Sequence, residues 1–188
     1  MTNNTLHIPE FAIIAAVGKN YVIGDKGDLA WRNSEDLLHF RKSTISHPVI
    51  MGRTTYECLP YHKKPLPGRL NVVLTKRQYY QPKGKGNTVT VVHSLNEAID
   101  AVKNNVQKRD EIDYNLAWII GGGEIYRQAI DFKDRDGNYL VNRMEITHVH
   151  KNLIGDTYFP MIDKNLWKED ILKRKDRNGF SFVTYSRK

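Results

Sequence analysis

Three groups of residues in this chain could do chemistry together. The first is Asp36, four positions before Phe40. On a helix the two share a face, with Leu37 beside them, and a carboxylate against a flat apolar wall suits a planar heterocycle carrying N–H donors. An acid at a helix start is more often a solvated partner of the dipole, so Asp36 alone decides nothing. The second group is Gly121-Gly122-Gly123, directly after the apolar run Trp118-Ile119-Ile120 and before Glu124-Ile125-Tyr126. Strand, glycines, then helix is how a chain aims free backbone N–H groups and a helix dipole at an anion. The full dinucleotide pattern has a third, later glycine that is missing here, so a tight strand-to-helix turn is an equal reading. VIMGRTT (49–55) repeats the arrangement: Gly52 ends a short strand, and Arg53, Thr54 and Thr55 open a helical stretch with groups that suit phosphate oxygens. Thr75-Lys76-Arg77, after a further strand ending at Leu74, adds two cations. The third group is Arg69 in the proline-stiffened turn PLPGR (65–69), where a guanidinium could pair with a carboxylate or simply be solvated.

Short β-branched runs position these groups. Strands are expected at 11–17, 49–51, 71–75, 89–92 and 117–120, and their near-continuous apolarity suggests a sheet covered on both faces. Helices are expected at 34–43, capped by Ser34, at 94–105, with Ser94 and Glu97 at capping-box spacing, and after the glycines, with Ile125, Ala129 and Ile130 inward. The last third changes to alternating, half-exposed strands at 144–150, 166–174 and 180–187, with an Asn178-Gly179 hairpin between the last two. The order is α/β first, then an antiparallel addition.

With 188 residues the chain has room for one well-packed domain. The polar leader MTNNTLHIPE reads as a surface tail rather than a signal peptide, and no apolar run approaches a membrane span. Cys58 is the lone cysteine, which excludes an internal disulfide and makes a cytoplasmic setting the default. No His or Cys spacing suggests a metal site, and DRDGN (134–138) fails as a calcium loop because Phe132 and Arg143 occupy ligand positions; it reads as a turn at Asp136-Gly137. The net charge of +8, with bases and tyrosines interleaved in KRQYYQPKGKG (76–86), leaves open a solvated surface, a nucleic-acid footprint or a site for a small anion.

Taken in order, IAAVGKNYVIG, LAWRNSEDLLHF, PVIMGRTTYE, PLPGR, VVLTKR, IIGGGEIY and ITHVHKNLIGDTYFP make the chain resemble a dihydrofolate reductase from Phe11 to its final strand. The resemblance implies a single α/β domain over 11–188, preceded by the extension 1–10. It implies a central, mostly parallel eight-stranded sheet, an antiparallel C-terminal strand and flanking helices. It also implies NADPH-dependent reduction of dihydrofolate to tetrahydrofolate, in one-carbon metabolism. Antifolate inhibitors would be further ligands, with no nucleic-acid or membrane partner, no metal and a monomeric state. Position by position, Asp36 becomes the pterin-binding carboxylate, supported by Thr147, with Phe40 beside the ring. Ile14, Ala15, Leu37, Leu59, Leu66 and Ile120 would line the folate pocket, and Arg69 would meet the substrate's glutamate α-carboxylate. Ala16, Ile23 and Trp31 would approach the nicotinamide, under Leu29 in a covering loop. Gly52, Arg53, Thr54 and Thr55 would meet the pyrophosphate, and Thr75, Lys76 and Arg77 the 2′-phosphate. Leu74, Gly121, Gly122, Gly123, Glu124, Ile125, Tyr126 and Thr157 would be further cofactor contacts, with a cis peptide joining the first two glycines.

Four features depart from the family pattern. Ala30 stands where a proline commonly precedes the loop tryptophan, and Glu124 where some members carry a base. YHKK (61–64) and FKDRDGNYLVNR (132–143) are longer than in compact bacterial forms and read as surface loops. Two alternatives stand beside this reading. One is the reductase of a ribosylated pyrimidine in riboflavin synthesis, on the same fold, which Asp36, Phe40 and PLPGR disfavour. The other is a basic nucleic-acid-binding module.

Overall fold

The structure, a computed structural model, describes residues 9–60, 62, 64–84, 89–104 and 109–188. Most of the expected N-terminal extension, parts of the loops at 61–64 and 76–86, and the end of the 94–105 helix lie outside these residues.

The strands are β1 (Glu10–Gly18), β2 (Val22–Asp25), β3 (Asp28–Leu29), β4 (Pro48–Gly52), β5 (Leu70–Leu74), β6 (Val89–Val92), β7 (Leu116–Ile119), β8 (Val141–Val149), β9 (Thr157–Tyr158), β10 (Trp167–Glu169), β11 (Lys175–Arg177) and β12 (Phe180–Arg187). The helices are α1 (Ser34–Thr44), α2 (Arg53–Cys58), α3 (Leu95–Lys103) and α4 (Gly123–Asp131). Eight strands form one sheet in the order β10-β12-β8-β1-β7-β4-β5-β6, and β11 adds a ninth by pairing with β12. From β8 to β6 every pairing is parallel, while β12 runs antiparallel to β8. The expected mostly parallel sheet with an antiparallel C-terminal strand is therefore present, in a single domain. A small second sheet, β3-β2-β9, was not anticipated.

The apolar runs behave as expected of doubly covered strands. Ile13, Val17, Ile50, Val72 and Ile119 pack on one face; Ala12, Ile14, Val49, Met51, Val73 and Trp118 pack on the other. α3 buries Leu95, Ala98, Ile99, Ala101 and Val102 on one stripe. Glu97 N–H donates to Ser94 Oγ at 3.1 Å, and the Glu97 carboxylate returns to the N–H of His93 rather than that of Ser94. α1 differs: Thr44 is its only buried residue, and Leu37 is 41% exposed. A helix that leaves its apolar side chains uncovered borders a space that something else fills.

Three local expectations are corrected. Asn33, not Ser34, caps α1: its Oδ1 accepts from the N–H groups of Glu35 and Asp36 at 2.8 and 3.2 Å. The expected strand over 166–174 is only β10; Asp170 then accepts from the N–H of Leu172 and starts a 3-10 turn at Ile171–Lys173 before β11. The segment 132–143, expected as a surface loop throughout, is a loop only as far as Leu140, because Val141 begins β8; a Lys133–Tyr139 bridge closes it. Asp134 Oδ1 accepts from the N–H groups of Asp136 and Asn138, and Gly137 has φ +84°, as the expected Asp136-Gly137 turn requires. The Asn178-Gly179 hairpin is also present, with Arg177 opposite Phe180.

Candidate active site

A cavity of about 870 Å³ opens at the C-terminal ends of β1, β7 and β4, near the top of the roughly 300–1,000 Å³ range of small-molecule sites. Of the expected site residues, Ile14, Ala15, Ala16, Ile23, Leu29, Trp31, Asp36, Leu37, Phe40, Leu59, Leu66, Arg69, Ile120 and Thr157 line it, together with Gly52 to Thr55 and Gly121 to Tyr126. Thr147 stands behind Asp36. Leu74, Thr75, Lys76 and Arg77 lie outside the wall, at the end of β5 and one strand beyond Gly52, which pairs with Leu74.

At the inner end, Thr147 Oγ1 on β8 donates to Asp36 Oδ1 at 2.6 Å. Burial pushes the Asp36 carboxyl above its usual range, and this hydrogen bond reverses part of the rise. Tyr126, buried on α4, donates to Ile14 O at 2.8 Å, and burial together with the Asp36 charge holds it firmly as a phenol. Tyr126 thus locks β1 against α4 at the cavity floor.

At the outer end, Arg69 is 5% exposed and has no carboxylate partner among the described residues. Its Nη1 donates to Thr44 Oγ1 at 3.1 Å, its Nε donates to Pro67 O at 3.1 Å, and its guanidinium lies 5.8 Å from the Phe40 ring centroid. A buried, unpaired cation costs free energy until an anion arrives. The turn that presents it is shaped by Asn71 at the start of β5. Asn71 Oδ1 accepts from Leu66 N–H, and Nδ2 donates to Leu66 O and Arg69 O, all within 3.1 Å. Sequence reasoning missed Asn71, although a polar amide inside an apolar strand run is a signal that its hydrogen bonds go to a neighbouring turn. It also missed Arg41, directly after Phe40, and Ile45, more than one turn beyond it, both of which line the cavity.

Between these ends, the three glycines have three different reasons. Gly121 has φ +116° and joins Gly122 through a cis peptide, and a Cβ on it would press on Tyr126, with the hydroxyl at 3.2 Å and the ring at 3.3 Å. At Gly122, the N-cap of α4, a Cβ would meet only Thr55 Oγ1 at 3.4 Å, so the space above it is the cavity itself. At Gly123 a Cβ would sit 2.4 Å from Tyr158 O, so the missing side chain makes room for β9, while the residue itself stays in the cavity wall. Gly52 N–H donates to Gly121 O at 2.7 Å, setting the starts of α2 and α4 side by side at the cavity edge. Arg53 pairs with Glu57 one turn on. Glu124 is engaged by Arg127 and by Gln128 Nε2 at 2.8 Å, which turns its charge toward its own helix.

The remaining wall is the β2–β3 hairpin. Asp156 Oδ2 accepts from Lys26 N–H at 3.1 Å, and Asp156 N–H donates to Gly24 O at 3.0 Å, tying the hairpin to the segment before β9. Ala30 N–H donates to Ile23 O at 3.3 Å, a bond that a proline there lacks. Trp31 packs edge-on against Phe180 at 5.4 Å, and Leu29, 52% exposed, stands at the rim. Cys58 also lines the wall; its Sγ donates to Thr54 O, and burial raises its thiol pKa. Among the described residues no cluster of three metal-ligating side chains occurs, and no helix is long and apolar enough to cross a membrane.

This arrangement can hold a flat heterocycle by a carboxylate, an anion by a buried arginine, and phosphates at two adjacent helix starts. Comparison with known proteins agrees. The family model described as dihydrofolate reductase matches residues 10–187. The chain is 37% identical to dihydrofolate reductase HdrB of Haloferax volcanii over 95% of this chain and 84% of the relative. It is 34% identical to the dihydrofolate reductase of Mycobacterium tuberculosis over 93% and 94% of the two chains. A solved Enterococcus faecalis dihydrofolate reductase, in complex with NADP(H) and RAB-propyl, superposes with a TM-score of 0.73 at 28% identity, covering 95% of this chain and 96% of that one. With its fold, cavity and sequence in agreement, the chain belongs to the dihydrofolate reductase family.

Proposed function

We propose that the protein reduces 7,8-dihydrofolate to 5,6,7,8-tetrahydrofolate, with hydride delivered to C6 and a proton reaching N5 through water. The observation that carries this reading is the half-buried Asp36 carboxylate, hydrogen-bonded to Thr147, in one cavity with the unpaired Arg69. Asp36 would hold the pterin's amino group and N3, with Phe40 beside the ring. Arg69 would take the substrate's α-carboxylate. The open space over Gly122 and the adjacent starts of α2 and α4 suit a dinucleotide. NADPH bound there supplies the hydride. A carboxylate engaged with the amino group and N3 lies too far from N5 to protonate it, so Asp36 would orient the ring and raise the proton affinity of N5. Water would deliver the proton past Leu29 and Trp31.

Mixing the protein with NADPH and dihydrofolate and following the reduced-nicotinamide absorbance tests the reading directly. Turnover is expected; a folded protein that consumes no NADPH with dihydrofolate overturns it. A reductase of ribosylated pyrimidines would leave Arg69 and the Asp36–Phe40 face without a task. Arg69→Leu should raise the dihydrofolate KM by roughly ten- to a hundredfold, the range for one charge-assisted pair, with kcat changed far less. An unaltered KM would reassign Arg69.

NADPH should be preferred to NADH, because Lys76 and Arg77 would meet the 2′-phosphate and Arg53, at the pyrophosphate, would lie near it. Its loss should lower kcat/KM by roughly tenfold or more. Equal kcat/KM values for the two cofactors would rule out that role for the three cations. The paired state of Glu124 removes one objection to this preference, since its charge is already engaged by Arg127.

A further inference from the structure

Trp31 stands between two cavities. It lines the main one, and it also lines a second, of about 270 Å³, bordered by Val149, His150, Asn178 and Phe180. Among the described residues, Trp31 alone belongs to both walls. A side chain in a close-packed interior is held by contact all round. Trp31 has space on two sides, so its placement depends on a small set of contacts.

Those contacts are of two kinds. With Ala30, Trp31 packs against the cluster of Val22, Val149 and Leu153. Aliphatic contact of this kind is non-directional and leaves a flat ring free to slide or tilt. The other contact has a direction. Phe180 meets the indole at a centroid distance of 5.4 Å and an interplanar angle of 60°, and an edge-to-face pair fixes orientation as well as distance. Phe180 is itself well held: it is buried at the start of β12, and Phe182 packs against it at 5.3 Å and 84°. His39 of α1 backs Phe182 in turn at 4.4 Å. The sheet sets the register of this aromatic row. Phe182 lies opposite Thr147, which holds Asp36, and Phe180 lies opposite Val149. One β12–β8 ladder therefore spaces both the carboxylate and the indole.

We propose that Phe180 is a positioning residue for the reaction: its ring edge keeps the Trp31 indole in the wall of the main cavity and out of the second one. The proposal rests on the dihydrofolate reading above, in which water carries the proton for N5 past Leu29 and Trp31. With the indole displaced, that route loses one wall and the water loses its alignment with N5. Hydride transfer to C6 then waits on protonation of N5 and slows. Phe180 does not line the main cavity, so binding of substrate and cofactor is spared. The charged groups around the indole are Asp28 and Arg32, paired at 2.6 Å in the same wall, Asp36 in the same cavity, and His150 and Lys151 at the second cavity. Replacing Phe180 changes none of them, so an altered pH profile reports the water route.

The test is single-turnover hydride transfer at about pH 5 and about pH 8, with the dihydrofolate KM and NADPH Kd, for the parent, Phe180→Leu, Phe180→Met and Phe180→Tyr. The first two substitutions remove the ring edge and keep an apolar side chain. Both should slow hydride transfer roughly three- to tenfold at the higher pH, the shift that losing one edge-to-face pair allows. At the lower pH, where dihydrofolate arrives already protonated, both should approach the parent's rate. KM and Kd should stay near the parent's throughout. Phe180→Tyr keeps the ring and should match the parent at both pH values. Equal losses at both pH values, or a raised KM with unchanged hydride transfer, overturn the role of Phe180 and leave the dihydrofolate reading standing. A parent that transfers no hydride to dihydrofolate overturns that reading and this proposal together.

Discussion

Asp36→Asn should slow hydride transfer at neutral pH by roughly two orders of magnitude or more, the range for losing one acid–base group. The substitution keeps the side chain's shape, and an amide oxygen can still accept from Thr147. What it removes is the negative charge that would draw a proton to N5. Activity should recover in part at low pH, where dihydrofolate arrives already protonated. NADPH affinity should stay near the parent's, because Asp36 is reserved for the pterin. The same variant should also unfold at a higher temperature without ligand. Burial raises the folded-state pKa of Asp36, so its ionised form opposes folding. That penalty is absent below the unfolded-state pKa, grows as pH rises between the two values, and is complete above the folded one. The gain in Tm is therefore expected at pH 7 and should vanish in acid. Single-turnover hydride transfer near the parent's rate at pH 7 would overturn the mechanism, and a lowered Tm there would overturn the electrostatic account of the site.

Gly122→Val should abolish NADPH binding in a protein that still folds. The backbone at Gly122 has φ −78°, open to any residue, and the nearest atom to a new Cβ is Thr55 Oγ1 at 3.4 Å. The added isopropyl group would therefore grow into the cavity at the start of α4, where the cofactor's phosphates are expected. Gly123→Ala is the contrasting case. Its Cβ would collide with Tyr158 O, so it should lose stability first and binding only as a consequence. Circular dichroism and cofactor titration separate the two. A folded Gly122→Val protein with the parent's NADPH affinity would remove the glycines from the site.

Much of this is legible in the sequence, and the reason is physical. β1, β4, β5 and β7 are buried on both faces, so their apolar runs stand out without reference to partners. Asp36, Phe40, Arg69 and the glycines carry chemistry in their own side chains or in the lack of one. Most of what escaped notice acts through a neighbour distant in sequence. Gly123 answers to Tyr158, and Trp31 leans on Phe180. Asn71 holds a turn that precedes it, and its side chain never reaches the cavity. The β2–β9 pairing joins two short segments far apart in the chain, neither of which has a periodic pattern long enough to announce a strand. Asn33 displaced Ser34 as the cap because either residue can cap a helix, and only the backbone geometry distinguishes them.

The place of β1 in the sheet bears on how the chain is made. Among the described residues it is the first strand in chain order, yet it lies between two strands from much later in the sequence: Phe11 pairs with Ala117 on one side and Val141 on the other. During translation its apolar residues leave the ribosome long before either neighbour exists, and no local contact can cover them. Closing such distant pairings costs loop entropy before burial returns it, so folding must be slow relative to a helical protein of this size. The nascent chain consequently passes through a long interval with an unpaired, sticky edge, when holdase chaperones and synthesis rate govern how much enzyme is recovered.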